Sequence, residues 1–330
     1  MALIDNAIYV RGRRVESPST LSRPARGDLT WIGLLRPDPH ELEAVATEFD
    51  LHENAVEDAR KGHQRAKLER YGDTLFMVLR PAEDAAMLRG YSVTTANIAE
   101  ATDAAVREGL GHLLDLDVEG IVVIAPQQRV FDLIAELGIR TPYVTMRASV
   151  GEDPTALWVD QMEGARLATA HLLDLGHEYV RHIAGPQDWI EADARMQGFL
   201  REMSDRDMAV APPILGDWTA DFGYHAGREL LRWRDCTAIF CSNDQMALGV
   251  MHAARSYGLD VPGDLSVVGY DDIPEAKHFW PPLTTVQVDF AELGRRCVDL
   301  LLPSEGELLR PIDIVPQLVV RASTSAPRTR

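Results

Sequence analysis

Cysteine is nearly missing from this sequence. Cys236, Cys241 and Cys297 are the only three in 330 residues, and they form no CxxC pair and no Cys/His spacing of the zinc-binding kind. That excludes a disulfide scaffold and predicts buried free thiols in a reducing compartment. No apolar run approaches the roughly eighteen residues a membrane-spanning helix needs. The N-terminal stretch MALIDNAIYVRGRR lacks the basic-then-apolar layout of a secretory signal. A cytoplasmic location is the resulting expectation. There is no GxxxxGK[ST], no GxGxxG after a strand and no GxSxG elbow, and no acid pair is spaced as a catalytic dyad. No enzyme activity and no cofactor are therefore expected.

Positive charge is also in short supply: 33 Lys and Arg stand against 51 Asp and Glu, for a net charge of −18. Nucleic-acid affinity rests largely on basic side chains neutralising phosphates, so a surface this acidic repels them unless a basic patch is segregated. RGRR at 11–14 and RKGHQRAK at 60–67 both have acids nearby and read as solvated surface. No helix-turn-helix pattern occurs, so direct DNA binding by this chain is not expected. The histidines suggest no metal site: His40, His52 and His63 are dispersed, and His171, His177 and His182 fall near helix ends or in a strand. The acids VED at 56–58 read as an exposed helix face.

What remains is an ordinary globular composition, with 46% hydrophobic and 25% charged residues in a length that suits two domains. In the first part, AIYVRGRRV predicts a strand pair around Gly12, and LTWIGLLRP predicts a strand. Residues 38–62 carry helical periodicity, with Leu42, Val45, Ala46 and Phe49 on one face. KLERYGDTLFMVLRPA contains a turn at Gly72-Asp73 and an apolar strand. From residue 91 the rhythm becomes a regular alternation of strand and helix: YSVTTAN, GIVVIAP, PYVTM, YVRHIAG, AIFCSN, LSVVGYD and TTVQVD are strands, most of them separated by helical stretches. Near-continuous apolar strands of this kind are buried on both faces of a parallel sheet, and repeated βα units predict a doubly wound α/β architecture. Ligands in such folds bind beside the C-terminal ends of strands.

Residues 91–330 carry, in order, GYSV, VEGIVVIAP, LLDLGHEYVRHIAGP, ARMQGF, GDWTADFGYHAGREL, TAIFCSNDQMALGVMHAARSYGLDVPGDLSVVGYDD, PPLTTVQVDF and LVVRAST. This series resembles the effector-binding region of the LacI/GalR family of bacterial transcription regulators. The resemblance implies a two-lobed type I periplasmic-binding-protein fold that closes on a small-molecule effector, expected to be a sugar. It also carries the expectation of a homodimer formed through the first lobe. Residues 1–82, with WIGLLRPDPHELEAVATEFDLHENAVEDARKGHQRAKLERYGDTLFMVLRPA, resemble the start of the cytoplasmic domain of CorA-type magnesium transporters, although Ala66 stands where that family usually has Pro. Both membrane helices and the Gly-Met-Asn pore signature are missing, which excludes magnesium transport. The expected organisation is thus a CorA-like segment at 1–82 and a LacI-like region at 83–330. The first lobe takes about 83–160 and 290–312, the second about 161–289 and 313–330. Residues 82–90 read as a seam, with the strand at 75–80 filling the slot of a missing first strand beside 91–97. A recombined or engineered chimera without activity, or a CorA-derived fragment without transport function, is the alternative.

A sugar site needs bidentate donors, carboxylate acceptors and an aromatic face. Arg195 in ARMQGF matches the family's effector-binding arginine; by residue type alone, a surface arginine bonded to Glu191 or Asp193 is the competing reading. Asp271 in GYDD is either an acceptor for two hydroxyls or a helix N-cap, a job Asp272 could take instead. Asn243 follows an apolar strand and either contacts ligand or caps. Trp218 supplies a stacking face or fills the core. Asp160 sits where the chain crosses between lobes, in cleft or hinge, and Asp188 with Trp189 lies in a loop toward the cleft. Phe279 and Trp280 either close one end of the pocket or pack the hinge. Val288 stands where some relatives have a polar side chain.

Overall fold

The segments Ala238–Cys241 and Ser266–Asp271 are apolar along most of their length, and in the computed structural model they are buried on both faces at the centre of a sheet. The structure describes residues 3–10, 13–16, 29–34, 68–71, 74–77, 80–96, 98, 102–125, 127–148, 156–232, 236–302 and 314–328. Along these run β1 (Leu3–Val10), β2 (Arg13–Glu16), β3 (Leu29–Leu34), β4 (Leu68–Tyr71), β5 (Thr74–Met77), α1 (Arg80–Leu88), α2 (Asp103–Asp115), β6 (Ile121–Ile124), α3 (Gln128–Leu137), β7 (Tyr143–Arg147) and β8 (Ala156–Trp158). There follow α4 (Gln161–Asp174), β9 (Val180–Ala184), α5 (Ile190–Asp205), β10 (Ile214–Leu215), α6 (Ala220–Arg232), β11 (Ala238–Cys241), α7 (Asp244–Ser256), β12 (Ser266–Asp271), β13 (Thr284–Gln287), α8 (Phe290–Leu301) and β14 (Gln317–Val319). They divide into two units, Met1–Asp84 with Ser92–Asp117, and Ala85–Tyr91 with Val118–Arg330.

The first unit holds an antiparallel sheet in the order β2-β1-β3 and a β4–β5 hairpin. The strand pair around Gly12, the strand at 29–34 and the hairpin across Gly72-Asp73 are therefore where the sequence placed them. The helix read at 38–62, the VED and RKGHQRAK stretches at 56–58 and 60–67, and His40, His52 and His63 lie outside the described residues. The expected pairing of the 75–80 strand with 91–97 does not form. β5 ends at Met77 and pairs with β4, while residues 91–96 have no regular secondary structure. The physical reason is loop closure: a two-residue connection brings β4 and β5 together at far smaller entropic cost than a longer crossover would. Residues 80–88, read partly as a seam, are helix α1, with Pro81 in its first turn, where a missing N–H does no harm. The segment after α1 is tied down within the second unit, since Arg89 donates to the Leu302 carbonyl at 3.1 Å and pairs with Asp299 on α8.

The second unit is an α/β, two-lobed periplasmic-binding-protein type I fold. One parallel sheet runs β6-β7-β8, with Val159 bridging to Ile314. The other runs β10-β9-β11-β12-β13-β14, parallel except for β14. The chain crosses from the first sheet to the second at 158–161, returns after β13 into α8, which packs on β7 and β8, and crosses again after Ile314. One apolar core spans these crossings, with Val144, Leu157 and Val159 continuous with Tyr270, Val286, Val288 and Leu293. A second core lies between α6, α7 and the β11–β12 face. β8, β10 and β14 are only two or three residues long and were not read as strands. All three cysteines are buried free thiols, and burial pushes the Cys297 thiol up to about 12, so it is inert as a nucleophile.

His182 on β9 sets a pH limit on this core. Its ring is stacked between Phe199 at 4.8 Å and Phe240 at 4.7 Å, with Nδ1 3.0 Å from the Phe240 carbonyl. Burial pulls its pKa down to about 4. The unfolded chain titrates this ring near 6.5, so the unfolded state takes up the proton first. Stability is then full above about pH 6.5 and falls as the pH drops toward 4. The expected loss from this residue is about 3 kcal/mol between pH 7 and pH 4. Urea unfolding of wild type and His182→Phe at both pH values checks it: the variant should lose about that much less, and equal losses would refute the assignment.

Candidate functional site

Arg195 comes to the C-terminal ends of β11 and β12 because α5 carries it inward, and it is 6% exposed. Neither Glu191 nor Asp193 holds it by a hydrogen bond. Its Nε donates to Gln161 Oε1 at 2.9 Å, one terminal nitrogen to the Ser242 carbonyl at 2.5 Å, and the other to Asp271 Oδ1 at 3.1 Å. The guanidinium lies 3.7 Å from the centre of the Tyr270 ring and 5.8 Å from that of Trp218. An arginine with every nitrogen engaged and one face on an aromatic ring is fixed in orientation before any ligand arrives.

Asp271 ends β12 at φ 100° and Asp272 follows at φ 49°, two successive residues in the left-handed region that side chains other than glycine seldom adopt. This turn separates the two carboxylates. Asp271 meets Arg195. Asp272 accepts from Arg321 at 2.6 Å and from Gln287 Nε2 at 2.8 Å, locking the end of β12 to β13 and the C-terminal segment. Neither caps a helix, which corrects the capping alternative for both. Burial moves the Asp271 carboxyl above its ordinary range, with Arg195 opposing that shift. Below it, Asp244 accepts from Thr285 at 2.5 Å and from the Ile273 N–H at 2.8 Å, so the start of α7 is bonded to the same strand ends.

Asn243 is a cap: its Oδ1 accepts from the Met246 N–H at 2.9 Å, and its Nδ2 donates to the Trp218 carbonyl at 2.9 Å. It therefore holds Trp218 in place, with both ends of its amide used. Trp218 sits at φ 73°, edge-on to Trp189 at 5.4 Å. It lies so close over Gly185 that a Cβ there would stand 2.2 Å from the indole ring. Asp160 caps α4 through the Glu163 N–H at 2.8 Å, and its own N–H donates to the Ile314 carbonyl at 3.1 Å, which puts it in the hinge. Asp188 is exposed and takes a long 3.4 Å contact from Gln127 Nε2, reaching from the second lobe to the loop after β6 in the first. Phe279 packs against the α6–α7 core, and Trp280 is 89% exposed, so neither closes the pocket. Val288 is in the hinge core rather than in the cleft.

The structure thus brings Arg195, Asp271 and Trp218 together with Asn243 behind them, sets Asp160 in the hinge and leaves Asp188 at the rim. Sequence reasoning missed Gln161, Tyr270 and the part played by Glu191. Gln161 and Tyr270 sit within an ordinary helix start and an apolar strand and carry no motif of their own. A separate cavity of about 250 Å³ between the end of β9, α5 and β10 contains none of the expected residues. Among the described residues no group of His, Cys, Asp and Glu is placed to hold a metal, and no helix is long and apolar enough to cross a membrane.

Residues 169–324 match the periplasmic binding protein-like domain family. Over 260 residues the chain is 31% identical to the HTH-type transcriptional repressor PurR of Haemophilus influenzae (strain PittEE), covering 76% of this chain and 77% of that protein. The chain belongs to the LacI/GalR family. The lactose operon repressor of Escherichia coli (strain K12) is 31% identical over 245 residues, covering 73% of this chain and 68% of that one. The lac repressor bound to ONPG in its repressed state superposes with a TM-score of 0.70 at 27% identity, over 86% of this chain and 90% of that one. The transcriptional regulator CelR in complex with cellobiose gives 0.64 at 31%, over 74% and 76%. The second unit is accordingly the effector-binding module of a LacI/GalR-type regulator, and members of this family are regulators rather than enzymes. No DNA-binding headpiece lies among the described residues.

Proposed function

We propose that the cleft between the two parallel sheets binds a sugar, and that its closure on that sugar is the regulatory event. The observation that carries this is the Arg195–Asp271 pair, pre-oriented on Tyr270 with the Trp218 ring beside it. Together these groups offer donors, acceptors and an aromatic face at the C-terminal ends of β11 and β12. Relatives bound to ONPG and cellobiose support a carbohydrate. Arg195 and Asp271 contact the ligand, Trp218 stacks on it, Asn243 sets Trp218, Asp160 belongs to hinge and cleft, and Asp188 bridges the rim when the lobes close. The lobes are about 83–160 with 290–312 and about 161–289 with 313–330. Ligand shifts the population toward the closed arrangement by the difference in its affinity for the two. A homodimer belongs to the same reading, since the relatives include a dimeric lac repressor.

The second reading is a chimera in which a CorA-like segment at 1–82 is joined to this module and no activity remains. It rests on the sequence resemblance of that segment alone. Thermal unfolding against a panel of sugars separates the two. A sugar at about one hundred times its dissociation constant adds roughly 2.7 kcal/mol, which raises the transition by about 2–4 °C per kcal/mol. A cooperative transition that no sugar moves would sink the first reading and leave the second.

A further inference from the structure

Glu191 stands in the first turn of α5, one turn before Arg195. Its Oε2 is shut away from solvent and has no hydrogen-bond partner among the described residues. Buried acceptors are rarely left without a donor, and an exception calls for an explanation by function or an absent partner. The charged groups acting on this carboxyl are Arg195 on its own helix and Asp271 at the end of β12. Arg195 does not hydrogen-bond to it; the guanidinium donates instead to Gln161, Ser242 and Asp271.

The polar capacity left in the cleft is therefore lopsided. Glu191 Oε2 is a buried acceptor without a donor among the described residues, while three of the five guanidinium N–H groups already go to protein acceptors. Asp160 in the hinge and Asp188 at the rim add two more carboxylates nearby, and the whole chain carries −18. A phosphate or carboxylate entering here would meet acceptors and negative charge. An ammonium group would meet what it lacks.

We propose that Glu191 is the specificity-determining residue of this cleft, pairing with a protonated amine on the effector, so that the ligand class is an amino sugar and sugar phosphates are rejected. The inference rests on the effector-binding reading above and narrows it. Burial pushes the Glu191 carboxyl up to about 7, against the opposing pull of the helix backbone and Arg195. The free cleft is thus partly protonated near neutrality, and an arriving ammonium displaces the proton. Lowering the pH removes the ionised form that the amine needs.

Titration calorimetry on the full chain tests this with glucosamine, galactosamine, glucose, galactose and glucose 6-phosphate at pH 7.0 and 5.5. One amino sugar should bind more tightly than its neutral parent at pH 7.0 and lose on the order of tenfold in affinity at pH 5.5, where the carboxyl is protonated. The 6-phosphate should not bind. Glu191→Gln should abolish both the preference for the amine and the pH step. Its melting temperature should match wild type at pH 5.5, where Glu191 is itself neutral, which shows that the variant folds. Neutral sugars binding as tightly as amino sugars, or a glucose 6-phosphate complex, would overturn the assignment while leaving the sugar-binding reading standing. Silence from every sugar would overturn both. An unchanged pH step in Glu191→Gln would move the titrating group elsewhere and refute the role of this residue.

Discussion

Arg195→Met is expected to destabilise the protein by about 3 kcal/mol, the lower end of the range for removing one partner of a buried ion pair, because the Asp271 carboxylate is partly exposed. The methionine fills the volume over Tyr270 but leaves Asp271, the Ser242 carbonyl and Gln161 without their donor. A half-buried carboxylate without its cation must take up a proton or stay charged at a cost, and a buried carbonyl without a donor costs a further share. The double variant Arg195→Met with Asp271→Asn should recover part of the loss, since removing both charges is much cheaper than stranding one. Urea unfolding of the four proteins closes the cycle. If Arg195→Met alone falls within 1 kcal/mol of wild type, roughly the level of a surface ion pair, the buried network described here is wrong. The same variant should bind no sugar, because the group that orients Asp271 has gone.

Much of the fold could be read from the strands. AIFC and SVVGY are apolar at nearly every position, which only a sheet covered on both faces explains. YSVTTAN is rich in β-branched residues in the same way, yet residues 91–96 form no strand. Propensity makes a segment fit for a sheet, but a strand exists only where a partner edge is available, and the edge expected for this one, β5, is taken by β4. The site divides along a similar line. Arg195 and Asp271 were visible because a guanidinium and a carboxylate at strand ends are chemically conspicuous. Asn243 was conspicuous too, and its capping alternative is the bond the structure forms. Gln161 and Tyr270 were hidden because their parts depend on Arg195 lying across them, a contact between residues 34 apart in the first case. Glu191 was considered only as a surface partner for Arg195. That its Oε2 is left without a donor follows from which acceptors the guanidinium takes, and no local pattern encodes that choice.

Gly249→Ala should cost about 3 kcal/mol, at the upper end for overpacking a tight interface, although it places a better helix former inside a helix. In α7 the alanine would gain about 1 kcal/mol from propensity alone. Against that, the added Cβ would stand 2.0 Å from the Ala220 carbonyl oxygen and 2.5 Å from the Tyr224 nitrogen, both backbone atoms of α6. A flexible side chain could turn aside; a helix backbone cannot. Gly223 makes the matching approach from the other side, 2.2 Å from the Met246 carbonyl oxygen once a Cβ is added, so the two helices lie together through a glycine on each. Pushing them apart opens the core of Val250, Ala253 and Leu231 between them. It also shifts the start of α7, where Asn243 holds the Trp218 carbonyl. Loss of stability and loss of ligand affinity should therefore appear together in this variant, 54 residues in sequence from Arg195 and never in contact with the ligand. Urea unfolding and sugar titration of Gly249→Ala read the two effects. A variant as stable as wild type would mean that α6 and α7 do not approach this closely. A destabilised variant with unchanged affinity would separate the Trp218 loop from the helix pair that is argued to position it.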